Sequence, residues 1–276
     1  REGRFKVFKK RAETTFEEAV GRYLDWSKTN NSSGTYGIDK LCAKSFLEAP
    51  CFSKKTVDAI TNDDGEKYKK YLMSQTVRKR GKGYGKPLTP RTVDIRLGRL
   101  KRLFNLCVDW NLCDQNPLQK VKLLKRDNKI IRYLLPEEEI RLMKVAPEEV
   151  GRVIQLALHT GMRRGELLSL TWGDIDFKAG IITIPATRAK GKRERYIPLT
   201  KTALEVLQEI PPHISKNALV FPNGKGKQWD RFRALWDKAR KDAGLDDFRF
   251  HDLRHSYASR LIMSGVDLAL IKELLG

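Results

Sequence analysis

The sequence predicts a mainly α chain with a small antiparallel β-sheet, divided into a helical domain and a following α+β domain. Three observations carry this. Apolar residues recur at helical spacing from about residue 14 to 110 and again from about 137 onward. Between those regions Lys122 to Arg132 is charged and aperiodic, as a linker is. Within the second region, Ile181-Ile182-Thr183-Ile184 and Arg195-Tyr196-Ile197-Pro198-Leu199 flank a basic turn, the pattern of a hairpin. The 276 residues suffice for two domains. The expected bounds are a basic tail at 1–11, a helical domain at 12–121, a linker at 122–133 and the α+β domain from 134 to 276.

Taken in order, Thr14 or Thr15 caps a first helix with Glu17 and Glu18 in its first turn and an apolar stripe of Phe16, Val20, Tyr23 and Leu24. Asn30-Asn31-Ser32-Ser33-Gly34 ends it, and a second helix is expected from about Tyr36 to Leu47. After the connector Thr56 to Ile60, Asn62 or Asp63 caps a third helix carrying Tyr68, Tyr71 and Leu72. Thr89-Pro90-Arg91 opens a fourth, with proline at the first helical position and a core stripe of Val93, Leu97, Leu100, Leu103, Phe104 and Cys107. In the second domain, helices are expected at about 137–145 and 148–159, then one starting near Met162. Asp174 to Phe177 begins strand structure, and Ala218 to Phe221 is expected to complete the sheet. Helices at about 200–210, 228–243, 251–264 and 267–275 finish the chain.

The formal net charge of +21 and a sequence pI of about 9.9 point to a polyanionic partner, either nucleic acid or an acidic membrane surface. No apolar run approaches the roughly 20 residues that span a bilayer, and no signal-peptide pattern opens the chain. Cys42, Cys51, Cys107 and Cys113 include no Cys-x-x-Cys pair, so they read as reduced thiols of a cytoplasmic protein rather than a zinc ribbon. The run Arg78-Lys79-Arg80-Gly81-Lys82-Gly83-Tyr84-Gly85-Lys86-Pro87 looks like a phosphate loop but fails the Walker pattern, because Pro87 follows Lys86 where Ser or Thr belongs. It is either a solvated loop or one that follows a DNA backbone. Arg91, Arg96, Arg99, Lys101 and Arg102 ring the fourth helix. The DNA-contact candidates are Arg78, Lys79, Arg80, Lys82, Arg91 and Arg96, with Lys192 and Arg193 in the hairpin turn.

Two short stretches carry chemistry. In Thr160-Gly161-Met162-Arg163-Arg164-Gly165-Glu166 a break precedes a helix whose first turn is expected to hold Arg163, where a helix N-terminus suits an anion. Arginine's fixed fork matches a phosphate bidentately, and Glu166, three residues on, can hold the guanidinium. The other reading of Arg163 is a plain ion pair with Glu166. In His251-Asp252-Leu253-Arg254-His255 a second helix opens, with His251 and Arg254 on one face and Leu253, Tyr257, Ala258, Leu261 and Ile262 on the other. His251 and His255 could instead form a metal pair, but Asp252 stands where a zinc-protease helix needs Glu, and Arg254 repels a cation. His255 reads as a supporting or core histidine, and Tyr257 as core.

These residues resemble the tyrosine recombinases, the phage-integrase family. Thr160-Gly161-Met162-Arg163 with Glu166 matches its first signature and His251 with Arg254 its second, while Lys190 takes the place of its hairpin lysine, with Lys192 and Arg193 close by. The resemblance implies a helical core-binding domain plus an α+β tyrosine-recombinase catalytic domain. It implies cleavage and rejoining of DNA through a 3′-phosphotyrosyl intermediate, without metal, nucleotide or other cofactor. Arg163 and Arg254 would hold the non-bridging oxygens, Lys190 would protonate the leaving 5′-oxygen, and His251 would donate to the phosphate or help proton transfer, with Glu166 and His255 in support. The family's nucleophilic tyrosine, and a further His or Trp, fall past Gly276, so the chain as written is expected to bind DNA without cleaving it. The implied partners are duplex DNA with paired recognition sites and a homotetramer on two sites, with accessory DNA-bending proteins as a further class and no membrane. The two domains would close on the duplex as a C-shaped clamp, and the protein, bacterial or phage-encoded, would be cytoplasmic and associated with the nucleoid. The alternatives are a type IB topoisomerase-like enzyme and a non-cleaving DNA-binding regulator on the same fold.

Overall fold

The computed structural model describes residues 14–77, 84–124, 132–189, 191, 193–229 and 231–276. The chain divides into two compact units, Arg1–Asn128 and Lys129–Gly276. No helix among the described residues is long and apolar enough to cross a membrane.

The first unit holds α1 (Phe16–Asn30), α2 (Ser33–Leu47), α3 (Asn62–Ser74) and α4 (Pro90–Asp109), with a 3-10 turn at Pro50–Phe52. Thr15 and Glu18 form a reciprocal capping box at α1, and Thr61 and Asp64 form one at α3. The cap of α3 is therefore Thr61, one residue before the expected Asn62. The second helix starts at Ser33 rather than Tyr36, because Ser32 caps it by accepting from the Thr35 amide and the two helices need only Asn31 and Ser32 between them. The expected stripe of α4 is fully buried and meets Tyr23, Phe46, Tyr68 and Leu72 in one core. Asp39, fully buried on α2, accepts from Ser27 Oγ at 2.6 Å and pairs with Arg99 of α4 at 3.2 Å, so one carboxylate ties α1, α2 and α4 together. The 75–77 and 85–88 segments pair, with Val77 N–H donating to Lys86 O at 2.9 Å and Leu88 N–H to Gln75 O at 3.0 Å.

The second unit runs α5 (Pro136–Val145), α6 (Glu148–Thr160), α7 (Arg164–Leu168), β1 (Ile175–Asp176), β2 (Ile181–Ile184), β3 (Arg195–Pro198), α8 (Lys201–Gln208), α9 (Phe232–Asp242), α10 (Asp252–Met263) and α11 (Leu268–Leu275). The sheet is antiparallel in the order β1-β2-β3, with Ile182 opposite Ile197 and Ile184 opposite Arg195. Ala218 to Phe221 does not join it. Leu219 makes only an isolated bridge to Thr171, while Val220 and Phe221 bury their side chains as a connecting segment. The run is short, apolar and buried, which periodicity alone does not assign to a strand. α6 is the central helix: Val150, Val153, Ile154, Leu156, Ala157 and Leu158 are all buried, with α8, α9 and α10 packed around it. On α10, Leu253 and Tyr257 are buried as expected, but Ile262 is 53% exposed, so the apolar face is narrower than the sequence suggests. All four cysteines are free thiols.

Gly161 closes α6 in the left-handed conformation, φ +62°. A Cβ there would lie 2.4 Å from the Tyr257 ring and 2.8 Å from Leu275. Gly161→Ala thus combines left-handed strain of about 1–2 kcal/mol with overpacking of about 1–3 kcal/mol. The expected outcome is a loss of about 2–5 kcal/mol in the Lys129–Gly276 unit, read as faster amide exchange in α6 and α10. Gly165→Ala, whose Cβ would meet open space within 4 Å, should be neutral or stabilise by up to about 1 kcal/mol. Similar effects for the two variants would remove the argument.

Candidate active site

The turn that ends α6 builds the first half of the site. Thr160 is fully buried and its hydroxyl donates back to the Leu156 carbonyl, which locks the last turn of α6. Gly161 then reverses the chain, Met162 drops into the core, and Arg163 stands in extended conformation immediately before α7. Arg163 is therefore the cap of that helix and not a residue of its first turn. The helix has only five residues, and the Arg163 N–H is satisfied by Glu166 Oε2 at 2.8 Å. The anion-binding capacity expected of a helix N-terminus at this point is replaced by that of the guanidinium itself.

Glu166 is the hub. It is 4% exposed and accepts four hydrogen bonds. Two come from Arg163, the amide and Nη1 at 3.1 Å. Two come from Arg195 on β3, Nη1 to Oε1 at 3.0 Å and Nη2 to Oε2 at 2.6 Å. Burial alone would raise the Glu166 pKa. The bonds from Arg195 and then from Arg163 outweigh it and hold the carboxyl below its usual range. Arg195 is the residue that the sequence reading missed. The signal was present: in Arg195-Tyr196-Ile197-Pro198 the side chains alternate in, out, in, out, and the inward position beside Ile197 is an arginine. An arginine on the buried face of a strand needs a carboxylate.

The second half comes from α10. Asp252, fully buried, accepts from the Arg249 amide and its guanidinium at 2.8–3.1 Å, and so fixes the entry to the helix. His251 caps α10, exposed as a residue but with its ring partly covered, 5.2 Å from that of half-buried His255. That partial burial first, then His255, Arg254 and Arg163, push the His251 pKa down, with Asp252 opposing. Arg254 reaches across to the first half. Its Nη1 donates to the Gly161 carbonyl at 2.8 Å and its Nη2 to the carbonyls of Leu275 and Gly276. Arg163 Nη2 donates to the same Gly276 oxygen at 2.7 Å. Two motifs more than ninety residues apart thus converge on one atom. Burial, and then repulsion from Arg163 and Arg195, lower the Arg254 pKa to about 10, so it stays charged at neutral pH in a site short of negative charge.

Two clefts flank the arginine pair. One, of about 730 Å³, is lined by Arg163, Arg195, Tyr196, Leu270 and Gly276 among others. The other, of about 530 Å³, is lined by Arg164, Arg233, Arg249 and His251 with the edges of Trp236 and Phe250. Arg193 is exposed near the first. Lys190 and Lys192 lie outside the described residues, as do Arg78, Lys79, Arg80 and Lys82. Arg91 is exposed on the first turn of α4, whereas Arg96 is half-buried and donates to Ser45 Oγ at 3.1 Å. Lys101 donates to the Gln119 carbonyl and Arg102 lies 4.9 Å over the Trp26 ring. Part of the basic face of α4 is thus engaged within its own unit. Tyr257 is buried against Gly161, and burial raises its pKa, as befits a core residue.

Comparison with known proteins identifies the family. The model of the phage integrase family matches residues 132–276, and that of the phage integrase SAM-like domain matches residues 15–123. The integrase of Salmonella phage P22 is 33% identical over 277 aligned positions, covering 94% of this chain and 70% of that protein. Among solved structures, the Tn1549 transposon integrase in complex with circular intermediate DNA superposes with a TM-score of 0.72 at 18% identity, over 95% of this chain and 92% of that one. A lambda integrase tetramer bound to a Holliday junction gives 0.72 at 18%, over 95% and 77%. With a family model spanning the whole unit that carries the arginine pair, and a phage integrase one-third identical along nearly the full length, the chain belongs to the phage integrase family, the tyrosine-type site-specific DNA recombinases.

Proposed function

We propose that the Lys129–Gly276 unit carries out phosphoryl transfer on DNA and that Arg163 and Arg254 together grip the scissile phosphodiester. The observation that carries this is the sharing of the Gly276 oxygen, at 2.7 Å from Arg163 Nη2 and 3.4 Å from Arg254 Nη2. Two rigid forks that can reach one oxygen can also take the non-bridging oxygens of one phosphate. The charge supports the same reading. Three guanidiniums, of Arg163, Arg195 and Arg254, gather near one carboxylate, Glu166, and repulsion from Arg163 and Arg195 adds to burial in lowering the Arg254 pKa. A phosphodiester supplies the missing negative charge, and more of it as the transition state forms.

The attacking group in this reading is a tyrosine hydroxyl of the full-length protein. It bonds to phosphorus, the bond to the 5′-oxygen breaks, and Lys190 gives that oxygen its proton. The strand is left joined as a 3′-phosphotyrosyl ester, and attack by a 5′-hydroxyl in the reverse sense rejoins DNA. His251, with its lowered pKa, is neutral at pH 7, so one ring nitrogen donates to the phosphate while the other can accept a proton. Glu166 and His255 support the groups that touch the phosphate. The basic residues Arg91 and Arg193, with Arg78, Lys79, Arg80, Lys82, Arg96 and Lys192, are proposed for ground-state DNA affinity. The lambda tetramer supports a homotetramer on two duplex sites. Accessory DNA-bending proteins and a place on the nucleoid of the cytoplasm belong to the same proposal.

Duplex DNA affinity is expected to fall by about 10³–10⁵ between 50 and 200 mM salt if six to ten phosphates are neutralised. Binding nearly flat over that range would count against the proposal. In the full-length protein, Arg163→Ala and Arg254→Ala should each slow covalent adduct formation by about 10²–10³ or more while leaving DNA affinity close to normal, because both guanidiniums meet charge that develops at the phosphate. Lys190→Ala should be largely rescued when the 5′-bridging oxygen is replaced by sulfur, since a thiolate leaves without a proton, and the arginine variants should not. Equal rescue of all three removes Lys190 as the acid. Adduct formation untouched by both arginine variants removes the site, and tight DNA binding with no adduct at all favours the non-cleaving regulator.

A further inference from the structure

We propose that Arg195 is a positioning residue for the reaction: by clamping both oxygens of the buried Glu166 carboxylate, it fixes the direction in which Arg163 presents its Nη2 group to the phosphate. The inference rests on the reading of Arg163 as a phosphate ligand. Arg195 is 7% exposed, and its Nη1 and Nη2 each bond one Glu166 oxygen, at 3.0 and 2.6 Å. Its Nε is buried and has no hydrogen-bond partner among the described residues, so its observed hydrogen bonding is to Glu166. A carboxylate gripped side-on at both oxygens cannot turn about its last bond. Its remaining lone pairs then point one way only. Oε2 takes the Arg163 amide and Oε1 takes Arg163 Nη1. With Nη1 held there, the planar fork turns Nη2 toward the position that it shares with Arg254.

The backbone fixes the other end of this lever. Arg195 pairs opposite Ile184 in the β2–β3 ladder, with Ile182, Ile184 and Ile197 buried around it, so its stem has no freedom to follow a moving carboxylate. The hairpin therefore does two things in one unit. The segment between its strands includes exposed Arg193, and its base orients Arg163 through Glu166. A neutralising partner would only need to sit near Glu166. A bidentate one sets an angle.

The test is a double-mutant cycle in the full-length protein, scored by single-turnover adduct formation and by DNA affinity. Arg195→Met, similar in length and apolar, is expected to slow adduct formation by about 10–10² and to change affinity by less than about threefold, since Arg195 is not placed to touch DNA. In an Arg163→Ala background the same change should cost almost nothing further, because the residue it positions has gone. Arg195→Lys, which keeps the charge but cannot grip both oxygens, should fold normally and still lose part of the rate, and it serves as the readout if Arg195→Met does not fold. An equal fold-loss with and without Arg163, or full rate in Arg195→Lys, overturns the proposal and leaves Arg195 as a purely structural charge. If Arg163→Ala alone leaves the rate unchanged, the phosphate-gripping reading fails first.

Discussion

A single buried carboxylate, that of Glu166, organises the second unit of this protein. An ionised carboxylate with 4% exposure is costly unless every lone pair is used. Here the partners are the amide and guanidinium of Arg163 and the guanidinium of Arg195. They come from the turn after α6 and from β3, so the helical layer and the sheet are joined at the site. Removing either side of such a pair leaves an uncompensated buried charge, at a cost of about 3–5 kcal/mol. Because the folded-state pKa of Glu166 lies below its unfolded value, the pair stabilises the fold above the unfolded pKa. That contribution is lost as pH falls through the folded one.

The same arrangement leaves the site with an excess of positive charge. Glu166 answers for two arginines and does not pair with a third, Arg254, whose hydrogen-bond partners among the described residues are backbone carbonyls. Carbonyls orient a guanidinium without neutralising it. Gly161 contributes twice: its left-handed turn lets Tyr257 of α10 pack directly against the backbone, and its carbonyl accepts from Arg254. The motif Thr160-Gly161-Met162-Arg163 is thus a chain of mechanical requirements, with a hydroxyl that locks a helix end, a residue without Cβ, a buried anchor and the charge that they aim.

Much of this was legible in the sequence. The four helices of the first unit followed from apolar spacing and from Thr15, Thr89 and Pro90 at their starts, and the pairing of Arg163 with Arg254 as candidates followed from the resemblance. Where the reading erred, local preference had yielded to packing. Gly34 looked like a break, yet Ser32 caps α2 and carries the helix through it. Ala218 to Phe221 has strand composition but reaches β-pairing only through Leu219. The sequence places Arg163 in the first turn of α7, whereas it is the extended cap residue of that helix, its amide held by Glu166. Arg195 went unnoticed because arginine is ordinarily a surface residue. Only the alternation of its strand, combined with a carboxylate in need of a partner, gives it away.

The ionisation of Glu166 tests the account most directly. Carboxyl ¹³C resonances followed through an acid titration of the folded protein read its pKa without any substitution. Glu166 is expected to titrate clearly below the ordinary glutamate value of about 4.3, because bonds from Arg195 and Arg163 outweigh its burial. A Glu166 that titrates at or above that value would mean that burial wins, that the two arginines are not held as described, and that the site is organised by something else.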